Sequence, residues 1–475
     1  MGASVEKRAV NPAEHATVIG ASIGGLCAAR VLSDFYSKVI VCERDDLPST
    51  PSGRGTVPQD QHLHLMMARG AAELDTLFPG LLTRLVAAGV PMLDNRPDCI
   101  YLGAAGHVLG TGAKLRKQYT AYLPSRPHLE WQLRRRVLAL GNVEIRQRKV
   151  REPHFDPVRQ RVTGLLLDDH DGGPELIASG LVVDAAGRGT RLPVWLTQWG
   201  YQRPPEETVD IGINYASQRL RIPDGLMREK ILVTGVGPGQ SLGLGMLCNE
   251  DGSWILTTFG VAKAKPPSTF GEMRELAYRL LPSRFAAALA AAGPIGEPVF
   301  HAFPASRWRR YDKLSRFPAG IVALGDAVAS FNPTFGQGMT MASLQAGHLR
   351  RALQSHPAEP ANEFNRTTAK TIRPVWTMNA LTDLCFQHAE GRLPRWYRPV
   401  GGLYDQFLGA AETDPVLAEW FLRRISLLDS LYMVPSPLII GRAVAHNARC
   451  GFGSAGRNHR PHHGSYGMAM GTLRR

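Results

Sequence analysis

Three carboxylates close apolar runs that read as buried strands. Glu43 follows Lys38-Val39-Ile40-Val41-Cys42, Asp184 ends the run from Gly180, and Asp326 follows Gly320-Ile321-Val322-Ala323-Leu324 and Gly325. An acid at the carboxyl end of a strand stands where doubly wound sheets meet ligands, and it accepts hydrogen bonds from hydroxyls. Two glycine clusters accompany them: Gly20-Ala21-Ser22-Ile23-Gly24-Gly25, and Gly336-Gln337-Gly338-Met339 behind Pro333. Each opens an apolar helical run. Turn glycines let the backbone approach a pyrophosphate, and a helix N-terminus offers it free N–H groups and a positive dipole end. The chemistry implied is the grip of a long ligand bearing phosphates and sugar hydroxyls.

The elements needed to position these groups are legible. Ala16-Thr17-Val18-Ile19 is a buried strand, the glycine turn follows, and a helix is expected from Gly24 to Leu32. Glu43 lies 23 residues after Gly20, the distance at which an acid meets the adenosine ribose of a dinucleotide. Ser22 replaces the usual second glycine and is small enough to keep the approach. A glycine turn without a ligand would not require strand, helix, second strand and acid to agree. Asp184 is more ambiguous, since a turn aspartate also caps local N–H groups. Asp326 is placed to accept ribityl hydroxyls. The helix after Gly338 offers N–H groups to the pyrimidine edge of an isoalloxazine, where reduced flavin carries negative charge. Together the three segments predict FAD held along its length. Gly451-Phe452-Gly453-Ser454-Ala455-Gly456 fits the same glycine pattern, but no strand precedes it and the surroundings are polar, so it reads as flexible chain.

Composition limits the alternatives. A chain of 475 residues with 44% hydrophobic content holds two or three domains with ample core. Six scattered cysteines show no metal spacing, so no metal is expected and a reducing cytoplasm is the simplest setting. No signal-peptide core and no apolar run of spanning length appears. The net charge is +14, of which six arginines between Gly441 and Arg475 supply +6. No nucleic-acid module accompanies it, so nucleic acid is not an expected partner.

The fold class expected is α/β: a Rossmann-type FAD-binding domain interleaved with an antiparallel β-sheet substrate domain, plus a helical C-terminal region. Residues 1–74, 120–200 and 305–360 are assigned to the first and residues 75–119 and 201–304 to the second. Residues 361–445 form the helical region, and residues 446–475 are read as a disordered basic tail. Helices are expected over Gly70 to Val90 (broken at Pro79-Gly80), Arg126 to Leu140 and Phe270 to Ala292. Within residues 205 to 305, short β segments are expected at Ile211 to Tyr215, Lys230 to Thr234, Gly243 to Leu247 and Trp254 to Phe259.

With these residues in place, the chain resembles the group A flavoprotein monooxygenases, the class of p-hydroxybenzoate hydroxylase, over residues 15 to about 350. Arg54-Gly55-Thr56-Val57-Pro58-Gln59, followed by His62 and His64, is similar to the bacterial branch of polyether epoxidases and related tailoring enzymes. The resemblance implies roles: Gly20, Ser22 and Gly25 at the pyrophosphate, and Glu43 and Arg44 at the adenosine. It puts Arg54 near flavin and pyrophosphate, Arg126 over the cofactor, and Asp184, Asp326, Pro333, Gly336, Gly338 and Met339 along the ribityl chain and ring. Ala185 stands where the class has glycine, a variant that resembles reductase and halogenase branches as much as hydroxylases. The implied activity is hydroxylation or epoxidation of a largely apolar small molecule in specialised metabolism, with NADPH or NADH as reductant and O2 as oxidant, through a flavin C4a-hydroperoxide. An oxidoreductase without oxygen insertion, such as a prenyl-chain reductase, and a flavin-binding protein without turnover remain alternatives. A halogenase ranks lower, because no Trp-x-Trp-x-Ile-Pro motif is present.

His62 and His64 are candidate pocket residues. In strand geometry they would point the same way and could meet a metal, but no third ligand is evident. Trp254, Phe259, Tyr215 and Phe335 are candidates for an apolar pocket wall, with plain packing as the alternative. No catalytic base is identifiable.

Overall fold

The computed structural model describes residues 14–54, 58–168, 173–237, 240–384, 397–432 and 434–453. Its centre is a five-stranded parallel sheet. The strands lie in the order Ile321–Ala323, Leu181–Asp184, His15–Ile19, Lys38–Glu43 and Val143–Gln147. Register places Ile19 opposite both Asp184 and Cys42, and Asp184 opposite Ala323. The carboxyl ends of four strands therefore coincide at one edge. These strands are almost wholly buried, as continuous β-branched runs in a sheet covered on both faces must be. Helices Ile23–Leu32, Arg126–Leu138 and Gly338–Ser355 supply the apolar cover on one face.

An eight-stranded sheet lies beside it. Its long strands Glu206–Arg221 and Gly293–Arg309 pair antiparallel with two register shifts, and Trp254–Gly260, Leu242–Cys248 and Ile231–Thr234 continue it. Ile100–Ala104 joins parallel to Ile231–Thr234. Helices Ala361–Asp383, Tyr397–Ala411, Pro415–Ile425 and Pro437–Gly453 complete the chain. The α/β class with an interleaved antiparallel sheet and a helical C-terminal region is thus the observed one.

Several expectations need correction. The expected helix Phe270 to Ala292 is two helices, Phe270–Leu280 and Ala286–Ala291, because Pro282 cannot continue the first. Strands Val150–Asp156, Glu175–Ala178 and Gly293–Arg309 were not anticipated. Helix Pro437–Gly453 runs into the stretch read as disordered tail and flexible glycine chain. Its Ala443 packs into an apolar cluster with Phe407, Leu408 and Leu417, and Asn447 donates to the Gln406 carbonyl at 2.9 Å. Residues 454–475 lie outside the described residues. No described helix is long and apolar enough to cross a membrane.

Candidate functional site

Three distant segments meet at the carboxyl edge of the parallel sheet because their glycines let backbone touch backbone. Gly20 has φ +95°, and a Cβ there would stand 2.8 Å from the Ala185 carbonyl oxygen. A Cβ on Gly25 would stand 1.9 Å from the Gly20 oxygen, and one on Gly24 would meet the Leu324 side chain at 3.3 Å. Gly20–Gly25 is therefore seated directly against both Ala185 and Leu324–Gly325.

Ser22 leads into helix Ile23–Leu32, but its hydroxyl does not cap it. The hydroxyl donates to Glu130 Oε2 and accepts from Arg126 Nη2, both at 3.0 Å. Glu43 reaches back to accept from the Ala21 N–H at 2.8 Å. Arg54 bridges two carboxylates, Glu43 at 3.2 Å and Glu130 at 2.8 Å, with its side chain 3% exposed. Arg126 pairs with Asp60 at 3.1 Å, and Asp60 also accepts from the Arg54 N–H at 3.1 Å. Two arginines thus share a buried ring with three acids. Burial raises the Glu130 pKa, while Arg54 and Arg126 oppose that rise. Arg44 is at the exposed rim, paired with Asp45. Residues 55–57 of the arginine segment lie outside the described residues.

Asp184 turns out to serve its own loop. It is fully buried, with one oxygen accepting from the Ala186 N–H at 3.0 Å and the other from the Thr190 hydroxyl. Both oxygens therefore cap their own loop, the alternative role a turn aspartate offers. The segment's charged group is Arg188, to which the sequence assigned no role. It bonds Ala305 O and Ser330 Oγ, lies 4.2 Å over the Phe303 ring, and faces Asp326 electrostatically.

Asp326 differs. Its carboxylate accepts no hydrogen bond among the described residues and is partly exposed. Burial raises its pKa, and Arg126, Arg188 and Arg309 oppose the rise. Beyond it Pro333 opens a short turn and Gly336 takes φ +66°. Helix Gly338–Ser355 then begins with no side-chain cap and no acid in its first turn, and a Cβ at Gly338 would meet nothing within 4 Å. Met339 follows, half-buried on that first turn.

On the antiparallel sheet, His62, Tyr215 and His301 gather with ring separations of 5.7 to 6.4 Å. His62 Nδ1 bonds the Ser217 hydroxyl at 2.7 Å, and burial pulls its pKa down to about 4, helped by His301. Residues 62–65 are irregular chain rather than strand, so His62 and His64 do not share a strand face. Among the described residues no trio of His, Cys, Asp or Glu side chains could hold a metal ion. Burial pushes the Cys27 and Cys42 thiols up to about 12, as suits inert core residues. Tyr215 and Phe259 do share a wall, with Phe303 and Ile213. Trp254 does not: five residues from Phe259 on one strand, it faces the opposite side and packs with Met273 and Leu289. Phe335 sits on the turn after Pro333, outside that apolar cluster.

The chain is 72% identical over 452 residues to protein Rv3254 of Mycobacterium tuberculosis, covering 93% of this chain and 95% of that protein. It belongs to the Rv3254 family. Residues 391–456 match the family model of the Mycobacterium Rv3254 C-terminal domain. Among solved structures, a flavoprotein/dehydrogenase from Cytophaga hutchinsonii superposes with TM-score 0.62 at 14% identity, over 92% of this chain and 99% of that one. The flavin-dependent brominase Bmp2 gives 0.61 at 16%, over 92% and 100%. The p-nitrophenol 4-monooxygenase PnpA of Pseudomonas putida gives 0.59 at 16%, over 89% and 99%. At these identities the likeness establishes the fold that the Rv3254 family shares with flavin-dependent enzymes.

Proposed function

We propose that the chain is an FAD-dependent monooxygenase that uses NADPH or NADH and O2 to hydroxylate or epoxidise a largely apolar small molecule in specialised metabolism. The observation that carries this reading is the convergence of unsatisfied groups along one edge. Glycines 20 and 25 sit in close backbone contact there. The Asp326 carboxylate has no hydrogen-bond partner among the described residues, and the 18-residue helix from Gly338 starts uncapped on open space. That donor set fits a dinucleotide flavin. Gly20, Ser22 and Gly25 line its pyrophosphate with Arg54 and Arg126. Glu43 takes the adenosine ribose in exchange for the Ala21 N–H, with Arg44 at the rim. Asp326 takes the ribityl hydroxyls, and Pro333, Gly336, Gly338 and Met339 border the ring.

Bound there, FAD supplies hydride acceptance and oxygen activation. The chain's own work is to exclude water and orient the substrate. Phe259, Phe303 and Ile213 provide the apolar wall, and Arg188 caps it over the Phe303 ring. Labour divides along the sheets: residues 1–74, 120–200 and 305–360 hold the cofactor, and residues 75–119 and 201–304 form the substrate side. The resemblance to polyether-epoxidase-like enzymes and the flavin enzymes sharing the fold support the same reading. The test is turnover under isotopically labelled O2 with NADPH. A product carrying one labelled oxygen atom supports the proposal. A product that gains hydrogen and no oxygen favours a reductase instead.

A further inference from the structure

The last described helix, Pro437–Gly453, has two unlike sides. With about 3.6 residues per turn, Ile439, Ala443 and Asn447 share the inner one. Ile439 and Ala443 pack with Phe407 and Phe421, and Asn447 donates to the Gln406 carbonyl and side-chain oxygens, both at 2.9 Å. The opposite side carries Leu438, Gly441, Val444, Ala445 and Ala448, every one of them exposed and none of them polar. Leu438 is 86% exposed and Val444 54%, and just ahead of the helix Tyr432 and Val434 stand exposed as well. A single exposed apolar side chain needs no explanation, but four of them in one short stretch, two on an outward helix face free of charge, call for a partner.

Charge selects that partner. Arg442 and Arg449 lie seven residues apart, about two helical turns, along one border of the outer side. Arg449 is exposed and meets no described acid, and Arg442, itself exposed, holds Asp414 at 2.8 Å. Asp429 is the last acid of the chain, and six arginines follow it. Acids close by are engaged within the fold: Asp414 caps helix Pro415–Ile425, while Asp405 and Glu412 hold His107. A second copy docked here across a two-fold axis would set the same arginine border and the same acid-free helix on both sides, with no carboxylate to receive the charge. An anionic lipid surface complements both features, with acyl chains for the apolar side and phosphates for the arginines. The helix is not one that crosses a bilayer, and its inner side is taken up by packing, so it can only lie in the interface plane.

We propose that this outer side is a membrane-docking surface. Helix Pro437–Gly453 lies along an anionic bilayer, with Leu438 and Val444 below the headgroups and Arg442 and Arg449 extended to the phosphates. Tyr432 and Val434 precede the helix on the same uncharged stretch, Ser430 to Gly441. The inference goes beyond the flavin reading and stands without it. On that reading, docking brings the enzyme to the phase in which a largely apolar substrate dissolves.

The test sediments the full-length protein with vesicles of phosphatidylcholine, alone or with about one third phosphatidylglycerol. Wild type is expected to bind the anionic vesicles at least about tenfold more tightly than the neutral ones. Leu438→Gln combined with Val444→Gln keeps every charge and removes the apolar contact, so binding to anionic vesicles is expected to fall at least about tenfold. Arg449→Gln, at an exposed position, is expected to weaken it about fivefold, the weight of one cation near such a surface. Circular dichroism shows that each variant is folded. Wild type that stays in the supernatant with anionic vesicles overturns the proposal. So does a folded double variant that sediments as wild type does, because charge alone then suffices. A wild-type dimer that the double variant converts to monomer, read by light scattering, overturns it in favour of a second copy.

Discussion

Replacing Arg54 with methionine probes the buried charge ring most sharply. The Arg54 side chain is 3% exposed and spans Glu43 and Glu130, themselves 9% and 5% exposed. Removing it leaves two carboxylates facing each other without their cation. Breaking a buried pair from one side costs about 3–5 kcal/mol, a large part of the roughly 5–15 kcal/mol that keeps a protein folded. The cost depends on pH. Burial already raises Glu130, and Arg54 is the largest opposing influence, so the variant's Glu130 rises further. Between the unfolded carboxylate value, about 4.3, and that raised folded value, the folded state holds a proton the unfolded chain lacks, so stability falls as pH rises. Urea unfolding of Arg54→Met is therefore expected to show the full loss at pH about 8 and a markedly smaller one at pH about 5. Adding Glu130→Gln should recover about 0.5–3 kcal/mol at the higher pH as coupling between neighbours. A loss under about 1 kcal/mol that ignores both pH and Glu130→Gln would refute the reasoning.

Gly25→Ala is expected to abolish soluble expression, since its Cβ would lie 1.9 Å from backbone oxygen, whereas Gly338→Ala, with nothing within 4 Å, should fold normally; thermal unfolding of both checks this. His107 bonds Asp405 at 3.1 Å and Glu412 at 2.8 Å, and although burial opposes its charge these acids raise its pKa. Its stabilisation is thus full below the unfolded histidine value, about 6.5, and is lost as pH rises through the folded value. Hydrogen exchange in helix Tyr397–Ala411 should accelerate in His107→Gln at pH about 5.5 and not at pH about 9. Asp414 caps helix Pro415–Ile425 by accepting from the Val416 N–H at 2.9 Å, so Asp414→Ala should cost about 1–2 kcal/mol in urea unfolding.

Local physics explains what the sequence revealed. Strand, glycine turn and helix around Gly20 were readable because hydrophobic period, turn chemistry and acid spacing all act within thirty residues. The strand Gly293–Arg309 was not, because Pro294, Pro298 and Pro304 argue against a strand. They are tolerated because its outer edge is met only by Ala329–Ser330, at Arg307 and Trp308. Glu130 was hidden among the charges of a helix whose exposed and buried faces are poorly separated, although its position four residues after Arg126 was a usable signal. The misplacement of Trp254 was avoidable, since strand alternation puts it opposite Phe259. Asp184 showed the limit from the other side, because a strand-end acid beside Ala185-Ala186 can serve a ligand or its own turn, and its bonds to Ala186 and Thr190 depend on loop geometry that the sequence does not spell out.

The central claim is tested most directly by FAD reconstitution of the purified protein beside Asp326→Ala, read by flavin absorbance and by bleaching with NADPH without oxygen. The account predicts one yellow, NADPH-bleachable flavin per wild-type chain and at least about a tenfold loss of affinity in the variant, whose fold is unchanged. A folded wild type that stays colourless with excess FAD, or a variant that binds flavin equally well, would contradict it.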